Sequence, residues 1–393
     1  LRKPVNISDF DFKLRSMQIP VFFRLLLSTG MRTNEARLLD CEDVDLKNGI
    51  INKMIVYGRN AEGKSNLGTA LYDIYYNAIG SYMTSYFRNE RIMYKNADAG
   101  SDDLIEFYYS FILNSQIVDY HYSKSDSVRV VSEKFELDNK IIYEYDILKG
   151  FSNFENVELI GASDLNWDKF INVSQDTLSS EWISGDEDDI GFTTALRYII
   201  FNTIQQENSI INLLQQFIKG FKFSTATPRM VRPIRSFDKE AISNFEKFLN
   251  NYGIKCELVV KKKPDGEFGL YFKHKKPLDF LSNISSGMEA LTRFYWNYMY
   301  KFKPTLIYMD EFDAFYHYEL SENIVKMLED EFDCQVILTT HNTSLLSNTI
   351  MRPDCFFILN DGKITSICNS TSRELRLGHN LEKLYKSGEF DVE

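Results

Sequence analysis

The chain has 393 residues, and its 44% hydrophobic content can fill the core of one large domain or two ordinary ones. Its formal net charge of −11 disfavours non-specific binding of nucleic acid over the whole surface. It contains no run of eighteen uncharged apolar residues, no secretory signal at its start and no CxxC spacing among its five cysteines. We therefore expect a globular cytoplasmic protein with no membrane span, disulfide framework or zinc site.

Two short basic stretches stand out against this acidic background. They are residues 229–235, RMVRPIR, and residues 273–277, KHKKP. Either could line a local basic groove, which makes DNA a candidate partner. A solvated basic face is the more frequent use of such a stretch.

Residues 1–52 are predicted to form a helical segment, because residues 19–50 read as a helix, a Thr-Gly break, a second helix and a polar turn. Residues 10–52 resemble a fragment of a tyrosine recombinase (phage integrase), with the pattern T-G-x-R-x-x-E-x-x-x-L. This resemblance implies that Arg32 binds phosphate and that Glu35 is its neighbour. No histidine of the sequence has an arginine three positions on, so the H-x-x-R box of a recombinase is missing. We expect a remnant or a fusion in front of another protein rather than a working recombinase.

The segment from Lys53 onwards predicts a strand, a glycine-rich loop and a helix. The loop matches the P-loop pattern G-x-x-x-x-G-K-[ST] at Gly58, Gly63, Lys64 and Ser65. Glycines at these positions let backbone N–H groups surround phosphates, and the helix N-terminus adds the positive end of its dipole. We expect Lys64 to reach the β- and γ-phosphates of a nucleotide and Ser65 to ligate Mg²⁺. The alternative is a polar turn.

The middle of the chain predicts an inserted region of strands and helices at about residues 100–275. Residues 104–147 alternate apolar and polar side chains, which predicts an antiparallel meander. Residues 151–192 read as an acidic, loop-rich connection, and residues 193–221 as one long helix or two. Residues 256–274 predict a β-hairpin that turns at a Pro-Asp-Gly sequence.

Residues 305–317, TLIYMDEFDAFYH, predict a buried parallel strand that ends at two carboxylates, Asp310 and Glu311. Ligands bind at the carboxyl ends of such strands. We expect Asp310 to hold Mg²⁺, directly or through water, and Glu311 to orient and deprotonate the attacking water. A solvated turn is the alternative for an isolated Asp-Glu pair, but the P-loop upstream favours the functional interpretation.

A second apolar strand, residues 334–342, ends at His341 and follows the Asp-Glu strand by one helix. Right-handed crossover packing then predicts that His341 lies beside Asp310 and Glu311, where it would hydrogen-bond the γ-phosphate. The alternative is a structural histidine at a strand end.

Residues 281–296 place Ser285, Ser286 and Gly287 at the start of a helix. Read alone, this pattern predicts a serine N-cap. In the order P-loop, serine-glycine helix start, acid strand and histidine strand, it resembles the signature motif of the ABC-type ATPases.

The complete motif order resembles the ABC-type ATPase heads of RecF, SMC and Rad50 proteins, and most closely the prokaryotic AAA15-type ATPases related to the overcoming-lysogenization-defect (OLD) nucleases. The resemblance covers residues 53–393 and rests on YGRNAEGKSN, SSGMEAL, DEFDAFYHYEL, TTHNTSLL and LRLGHNLEKLYKSGEF. It implies an α/β P-loop NTPase fold, an ABC-type head with a mixed central sheet, an antiparallel β meander and a helical lobe. It also implies that the chain binds ATP and Mg²⁺, with Asn60 and Asn66 among the nucleotide-binding residues.

The same resemblance implies a homodimer or higher oligomer in which ATP is sandwiched between two copies. Ser285, Ser286 and Gly287 of one copy would cover the nucleotide held by the P-loop of the other. Asp313 would belong to the loop that crosses the dimer seam, and His317 follows it. The signature of this chain is S-S-G-M, where transporters have S-G-G-Q.

Three functions are consistent with these patterns. The first is an ATP hydrolase that regulates a separate effector, a nuclease or a toxin, in prokaryotic anti-phage defence. We favour it because the ATPase motif set is complete and no nuclease constellation accompanies it. The second is a RecF- or SMC-like DNA-repair clamp, and the third is an inactive remnant or fusion.

Overall fold

The computed structural model describes residues 53–59, 62–79, 100, 102–126, 129–179, 194–225, 234–301, 303–360, 363–373, 375–376 and 378–390. Residues 1–52 lie outside these ranges, so the helical segment with Arg32 and Glu35 stays a prediction. Asn60 and residues 229–233 of the first basic stretch also lie outside them.

The described chain contains runs of strands as well as strand–helix alternation. The first half contains β1 (Lys53–Gly58), α1 (Lys64–Ala78), β2 (Ile105–Leu113), β3 (Gln116–Lys124), β4 (Val130–Leu137), β5 (Lys140–Asp146), β6 (Phe151–Asn153), α2 (Trp167–Ser179), α3 (Ala195–Asn202), α4 (Ile210–Lys219) and β7 (Phe221–Ser224). The second half contains α5 (Lys239–Asn251), β8 (Leu258–Lys262), β9 (Phe268–Phe272), β10 (Leu278–Asp279), α6 (Phe280–Asn283), α7 (Ser286–Phe294), β11 (Leu306–Met309), α8 (Tyr318–Glu331), β12 (Gln335–Thr340), β13 (Phe356–Asn360), β14 (Lys363–Ser366) and α9 (Leu381–Lys386). A π-helix, Tyr295–Met299, continues α7 directly.

A six-stranded sheet in the order β14-β13-β1-β12-β11-β7 forms the centre of the fold. Every pairing in it is parallel except that of β13 with β14. The predicted P-loop strand β1, acid strand β11 and histidine strand β12 are neighbours, with β12 in the middle. Because parallel strands share a direction, the polar residues that follow these three strands meet at one edge of the sheet.

Apolar side chains cover both faces of the central sheet and divide the core into two clusters. Val56 and Tyr308 belong to the cluster that contains the apolar residues of α1 and the meander. Ile55, Ile307 and Leu338 point the other way, into the cluster that contains the apolar residues of α5, α7 and α8. Burial on both faces explains why β11 reads as a continuous apolar run, as predicted.

The predicted mixed α/β architecture is confirmed, including the antiparallel meander, which runs in the order β2-β3-β4-β5-β6. The region 193–221 forms two helices, α3 and α4, the second of which is capped by Ser209. The prediction of a loop-rich connection over residues 151–192 was wrong in part, because it contains α2. The aromatic rings at the start of α2 fix it to the meander: Trp167 stacks on Phe154 with ring centroids 4.1 Å apart. No described helix has the length and apolar character needed to cross a membrane.

A buried ion pair joins the P-loop helix α1 to the meander. Lys124 Nζ lies 2.8 Å from Asp73 Oδ1, and the two side chains are only 1% and 4% exposed. The other carboxylate oxygen of Asp73 accepts hydrogen bonds from Tyr122 at 2.7 Å and from Asn77 at 2.5 Å. A buried carboxylate is tolerated only when it is paired and hydrogen-bonded, and Asp73 meets both conditions.

A second buried carboxylate, Glu133 of β4, ties the meander to the start of α3. It accepts hydrogen bonds from three tyrosine hydroxyls and two backbone N–H groups, those of Tyr120, Tyr143, Tyr145, Ala195 and Leu196. Burial raises the pKa of Glu133, and these hydrogen bonds oppose that shift. Thr194, the N-cap of α3, also donates to the Asn77 carbonyl at 3.0 Å, which links α3 to α1.

We expect Lys124→Met to lower the free energy of unfolding by about 3–5 kcal/mol, because it leaves Asp73 charged, buried and without its cation. The measurement is chemical denaturation followed by circular dichroism. Lys326→Met is the matched control, because it removes a lysine from the exposed Lys326–Glu322 pair and should change stability far less. An equal loss in both variants would contradict the assigned role of the Asp73–Lys124 pair.

Candidate functional site

The P-loop connects the end of β1 to the start of α1. Gly63 has φ 95° and ψ 15°, a left-handed conformation that glycine adopts at little cost. A Cβ on Gly58 would lie 2.9 Å from the Leu359 carbonyl oxygen, so this position also requires glycine. Lys64 Nζ donates to the carbonyls of Gly58 at 2.9 Å and Arg59 at 3.0 Å, which folds the lysine back over the loop. Burial lowers the pKa of Lys64, and nearby Asp310 and Glu311 oppose the shift.

The first turn of α1 is fixed by a tyrosine of the acid strand. Tyr308 donates its hydroxyl hydrogen to the Lys64 carbonyl at 2.5 Å. Its ring occupies the space beside Gly68, where a Cβ would lie 2.3 Å from a ring carbon, so α1 needs glycine there to approach β11. Asn66, in the same turn, is exposed. The orientation of the N-terminal end of α1 is therefore set by packing against β11.

The Asp310 carboxylate is the centre of the site and is held from two sides. Ser65 Oγ donates to Asp310 Oδ2 at 2.5 Å, and Thr339 Oγ1 donates to Asp310 Oδ1 at 2.7 Å. Asp310 is 6% exposed, and its backbone N–H donates to the Ser224 carbonyl at 2.8 Å. These contacts bring the P-loop helix, the acid strand and the histidine strand together at one carboxylate.

Glu311 follows in an uncommon backbone conformation. Its φ is 47°, in the left-handed region that non-glycine residues rarely adopt, and such strain concentrates at functional sites. The Thr339 hydroxyl accepts a hydrogen bond from the Glu311 N–H at 2.8 Å, which stabilises the turn. His341 Nε2 lies 3.6 Å from Glu311 Oε1, and both side chains are partly exposed, at 37% and 47%. Glu311 and His341 are thus neighbouring, partly exposed side chains, and Glu311 directly follows Asp310 in the sequence.

These residues fit a magnesium-bound triphosphate. Mg²⁺ prefers hard oxygen ligands and is usually bound through one or two protein groups plus phosphate oxygens. The Ser65 hydroxyl and the Asp310 carboxylate, already in contact, supply oxygens of that kind. Lys64, with the N-terminus of α1 beside it, supplies positive charge for phosphate oxygens.

The signature residues lie at the start of α7. Ser285 caps α7 by accepting a hydrogen bond from the Met288 N–H at 3.3 Å, so the N-cap predicted for the pattern read alone is present. Ser285 and Ser286 are exposed. A Cβ on Gly287 would lie 3.0 Å from the Phe315 carbonyl oxygen, which places α7 against the segment after Glu311. Among the described residues, no hydrogen bond joins the signature residues to Lys64 or Ser65.

The segment between Glu311 and α8 holds the two remaining candidates. Asp313 is partly buried, and its carbonyl accepts from the Tyr316 N–H at 3.0 Å within a turn. His317 caps α8, because its Nδ1 accepts from the Leu320 N–H at 3.2 Å. In the part of the chain that the structure describes, neither side chain hydrogen-bonds to the residues around Asp310.

Sequence reasoning missed Thr339, whose hydroxyl donates to Asp310 and accepts from Glu311. The available signal was its position two residues before His341, at the end of a buried strand. Tyr308 was also missed, since a tyrosine within an apolar strand reads as an ordinary core residue.

Comparison with solved structures finds SMC head domains that are similar in fold over most of the length of this chain. A head bound to the C-winged helix domain of ScpA has 15% identity and a TM-score of 0.44, covering 88% of this chain and 96% of its own. The SMC head of Thermotoga maritima has 12% identity and a TM-score of 0.42, covering 89% and 98%. A head with an extended coiled coil, bound to a ScpA domain from Pyrococcus furiosus, has 15% identity and a TM-score of 0.42, covering 88% and 96%. These scores are too low to support an inference about this chain.

A search of curated proteins finds no match. The protein family described as "AAA domain, putative AbiEii toxin, Type IV TA system" matches residues 53–347. The matched region contains the P-loop, the signature residues, Asp310 with Glu311, and His341. Because the match spans well over half of the sequence, the chain belongs to this family of AAA-type ATPase domains.

Proposed function

We propose that this chain is an ATP-hydrolysing head that dimerises around Mg-ATP and regulates a separate effector in prokaryotic anti-phage defence. Membership of the AAA-type family supports the binding and hydrolysis of ATP. The observation that carries the proposal is the continuous chain of hydrogen bonds from Ser65 through Asp310 and Thr339 to Glu311. If the Asp-Glu pair were only a solvated turn after β11, its carboxylates would be exposed to water. Asp310 is instead buried and accepts hydrogen bonds from hydroxyl groups of two other elements, α1 and β12.

The proposed roles follow from the position of each group. Lys64 would bind the β- and γ-phosphate oxygens, and Ser65 with Asp310 would hold Mg²⁺, which supplies neutralisation of phosphate charge when bound. Glu311 would take a proton from a water whose oxygen attacks the γ-phosphorus, while the bond to the bridging oxygen breaks to release ADP and phosphate. His341, beside Glu311, would hydrogen-bond the γ-phosphate and respond to its loss.

The second copy is proposed because Ser285 and Ser286 are exposed and the Ser285 side chain makes its hydrogen bond within its own helix. Ser285, Ser286 and Gly287 lie at the N-terminus of α7, whose free N–H groups favour an anion. In a two-fold pair they would cover the nucleotide on the other P-loop, with Asp313 near the seam. The nucleotide would then stabilise the dimer, and hydrolysis would release it.

The effector is proposed from the sequence and the family. The sequence carries the ATPase motifs without a nuclease constellation, and the family's description refers to a toxin of a type IV toxin–antitoxin system. A chain of this kind, in the cytoplasm, would control a nuclease or toxin carried by another protein. We assign residues 53–393 to the head, of the AAA15 or OLD-like type, and residues 1–52 to a separate recombinase-like segment.

The experiment that tests the enzyme proposal measures phosphate release by the wild type and by Glu311→Gln. We expect the variant to turn over ATP at least about a hundredfold more slowly, because it lacks the proton acceptor, while still binding nucleotide. Glu319→Gln is the matched control, since Glu319 is an exposed glutamate at the start of α8 and should keep wild-type turnover. Equal background rates in wild type and Glu311→Gln would instead support the inactive-remnant alternative.

The dimer is tested in the Glu311→Gln background, where bound ATP should persist. We expect light scattering after gel filtration to show a dimer with Mg-ATP and a monomer without it, and Ser285→Arg to abolish the dimer. Ser209→Arg is the control, because Ser209 caps α4 with the same 3.3 Å hydrogen bond but lies outside the signature. A dimer that survives Ser285→Arg would place the seam elsewhere.

A further inference from the structure

A hairpin unlike the rest of the protein in charge precedes the signature helix. Residues 255–276, which we call the lysine hairpin, contain β8 and β9. They carry seven lysines and three acidic residues, within a chain of net charge −11. Leu258 and Leu270 are buried and fix the base of the hairpin to the core, so the turn is the end that is free to meet another surface.

The turn end of the hairpin combines positive charge with an exposed aromatic ring. Lys262 pairs with Phe268 across the two strands, and paired residues of antiparallel strands project from the same face. Phe268 is 55% exposed, and Lys261 and Lys262 are exposed as well. Neither lysine makes an ion pair in the part of the chain that the structure describes. This end therefore presents an apolar ring beside two unpaired positive charges.

Three exposed apolar side chains lie close together beyond the meander and at the end of α3. Ile204 is fully exposed, and Phe201 and Leu159 are 59% and 50% exposed. Gln205 Nε2 donates to the Ile160 carbonyl at 3.4 Å, so the segments that carry Ile204 and Leu159 lie side by side. We call Leu159, Phe201 and Ile204 the apolar patch. Single exposed apolar residues are common on protein surfaces, but neighbouring ones mark a surface that a partner can cover.

Acidic residues accompany the apolar patch. Residues 155–169 carry four acidic residues and one lysine, and residues 201–208 carry one acidic residue and no basic one. The five carboxylates are those of Glu155, Glu158, Asp164, Asp168 and Glu207. All five residues are exposed, and none makes an ion pair within the described ranges. A surface with an apolar centre and positive charges would complement this part of the molecule.

The chain itself carries such a complementary surface, but on the other side of the central sheet. Leu258 and Leu270 of the hairpin belong to the core cluster of α5, α7 and α8. Ile160 and Tyr198, beside the apolar patch, belong to the cluster of α1 and the meander, which covers the opposite face. We propose that the lysine hairpin of one copy docks on the apolar patch of a second copy. Phe268 then adds to the apolar centre, and the lysines face the carboxylates.

This contact differs from the nucleotide-dependent pair described above. Two different surfaces meet in it, so it either forms twice in a two-fold pair or repeats from copy to copy into a ring or chain. It uses none of the nucleotide-site residues and does not rest on the proposed function. Its charges are exposed, so it should form at low salt and high protein concentration. It should dissociate at the dilution of gel filtration, where the chain without nucleotide is expected to be a monomer.

The experiment measures sedimentation velocity of the full chain without nucleotide. Wild-type association should be at least about tenfold weaker in about 0.5 M salt than in about 0.05 M salt. Lys261→Glu with Lys262→Glu, and separately Glu158→Lys with Glu207→Lys, put like charges on the two facing surfaces, so each variant alone should be monomeric. An equimolar mixture of the two variants should associate again, because each reversed surface then meets one of opposite charge. Lys219→Glu with Lys383→Glu, two exposed lysines elsewhere, should associate as the wild type does.

The apolar part of the contact is tested by Ile204→Ser at the lower salt. We expect association about tenfold weaker than in the wild type, because a large apolar side chain is no longer buried in the contact. Leu148→Ser is the matched control, since Leu148 is 62% exposed but lies outside the apolar patch. It should associate as the wild type does.

Three results would overturn the proposal. One is a wild type that stays monomeric at the lower salt, or charge-reversed variants that associate as the wild type does. Another is a mixture of the two variants that stays monomeric although both are folded by circular dichroism. The third is a larger loss of unfolding free energy in Ile204→Ser than in Leu148→Ser with unchanged association, because the chain itself would then cover the patch. No nucleotide is present, so each result leaves the ATPase proposal standing, and an inactive ATPase leaves the docking surface standing.

Discussion

The site depends on the hydrogen bonds that two hydroxyl groups, those of Ser65 and Thr339, donate to the Asp310 carboxylate. A carboxylate that is 6% exposed is costly to bury unless its oxygens are hydrogen-bonded, and Ser65 and Thr339 each bind one of them. Thr339 also accepts the Glu311 N–H, which holds that residue in its left-handed turn. One buried charge thus fixes the relative positions of the P-loop helix, the acid strand and the histidine strand.

The P-loop helix is held at its start and beyond its middle, and the meander provides the second of these two supports. At the start of the helix, Tyr308 binds the Lys64 carbonyl, while two turns later Asp73 forms its buried ion pair with Lys124. Glu133, in the same meander, accepts hydrogen bonds from two backbone N–H groups at the start of α3 and so joins the meander to that helix. The helix that would carry the phosphates is therefore rigidly supported, and conformational change on hydrolysis is expected in the loops around Glu311 and His341 rather than in α1.

Much of the fold and half of the site could be predicted, because the P-loop and the apolar strands with polar ends are local patterns of sequence. Thr339 could not, because its role depends on strand register: Met309 pairs with Leu338, which brings the next residue on each strand together. Helix α2 was hidden by the acidic residues beside it, although its aromatic rings pack on the meander. The partners of Glu133 could not be predicted either, since its donors come from three separate strands and helices.

The central claim, that Asp310 and Ser65 hold Mg²⁺ on a triphosphate beside Lys64, is tested most directly by calorimetric titration with a non-hydrolysable ATP analogue. The wild type should bind at least about tenfold more tightly in Mg²⁺ than in EDTA, a difference of about 1.4 kcal/mol. Asp310→Asn should keep the affinity seen in EDTA and lose most of the gain from Mg²⁺. Wild-type affinity that is the same in Mg²⁺ and EDTA, or a gain that survives in Asp310→Asn, would contradict the claim.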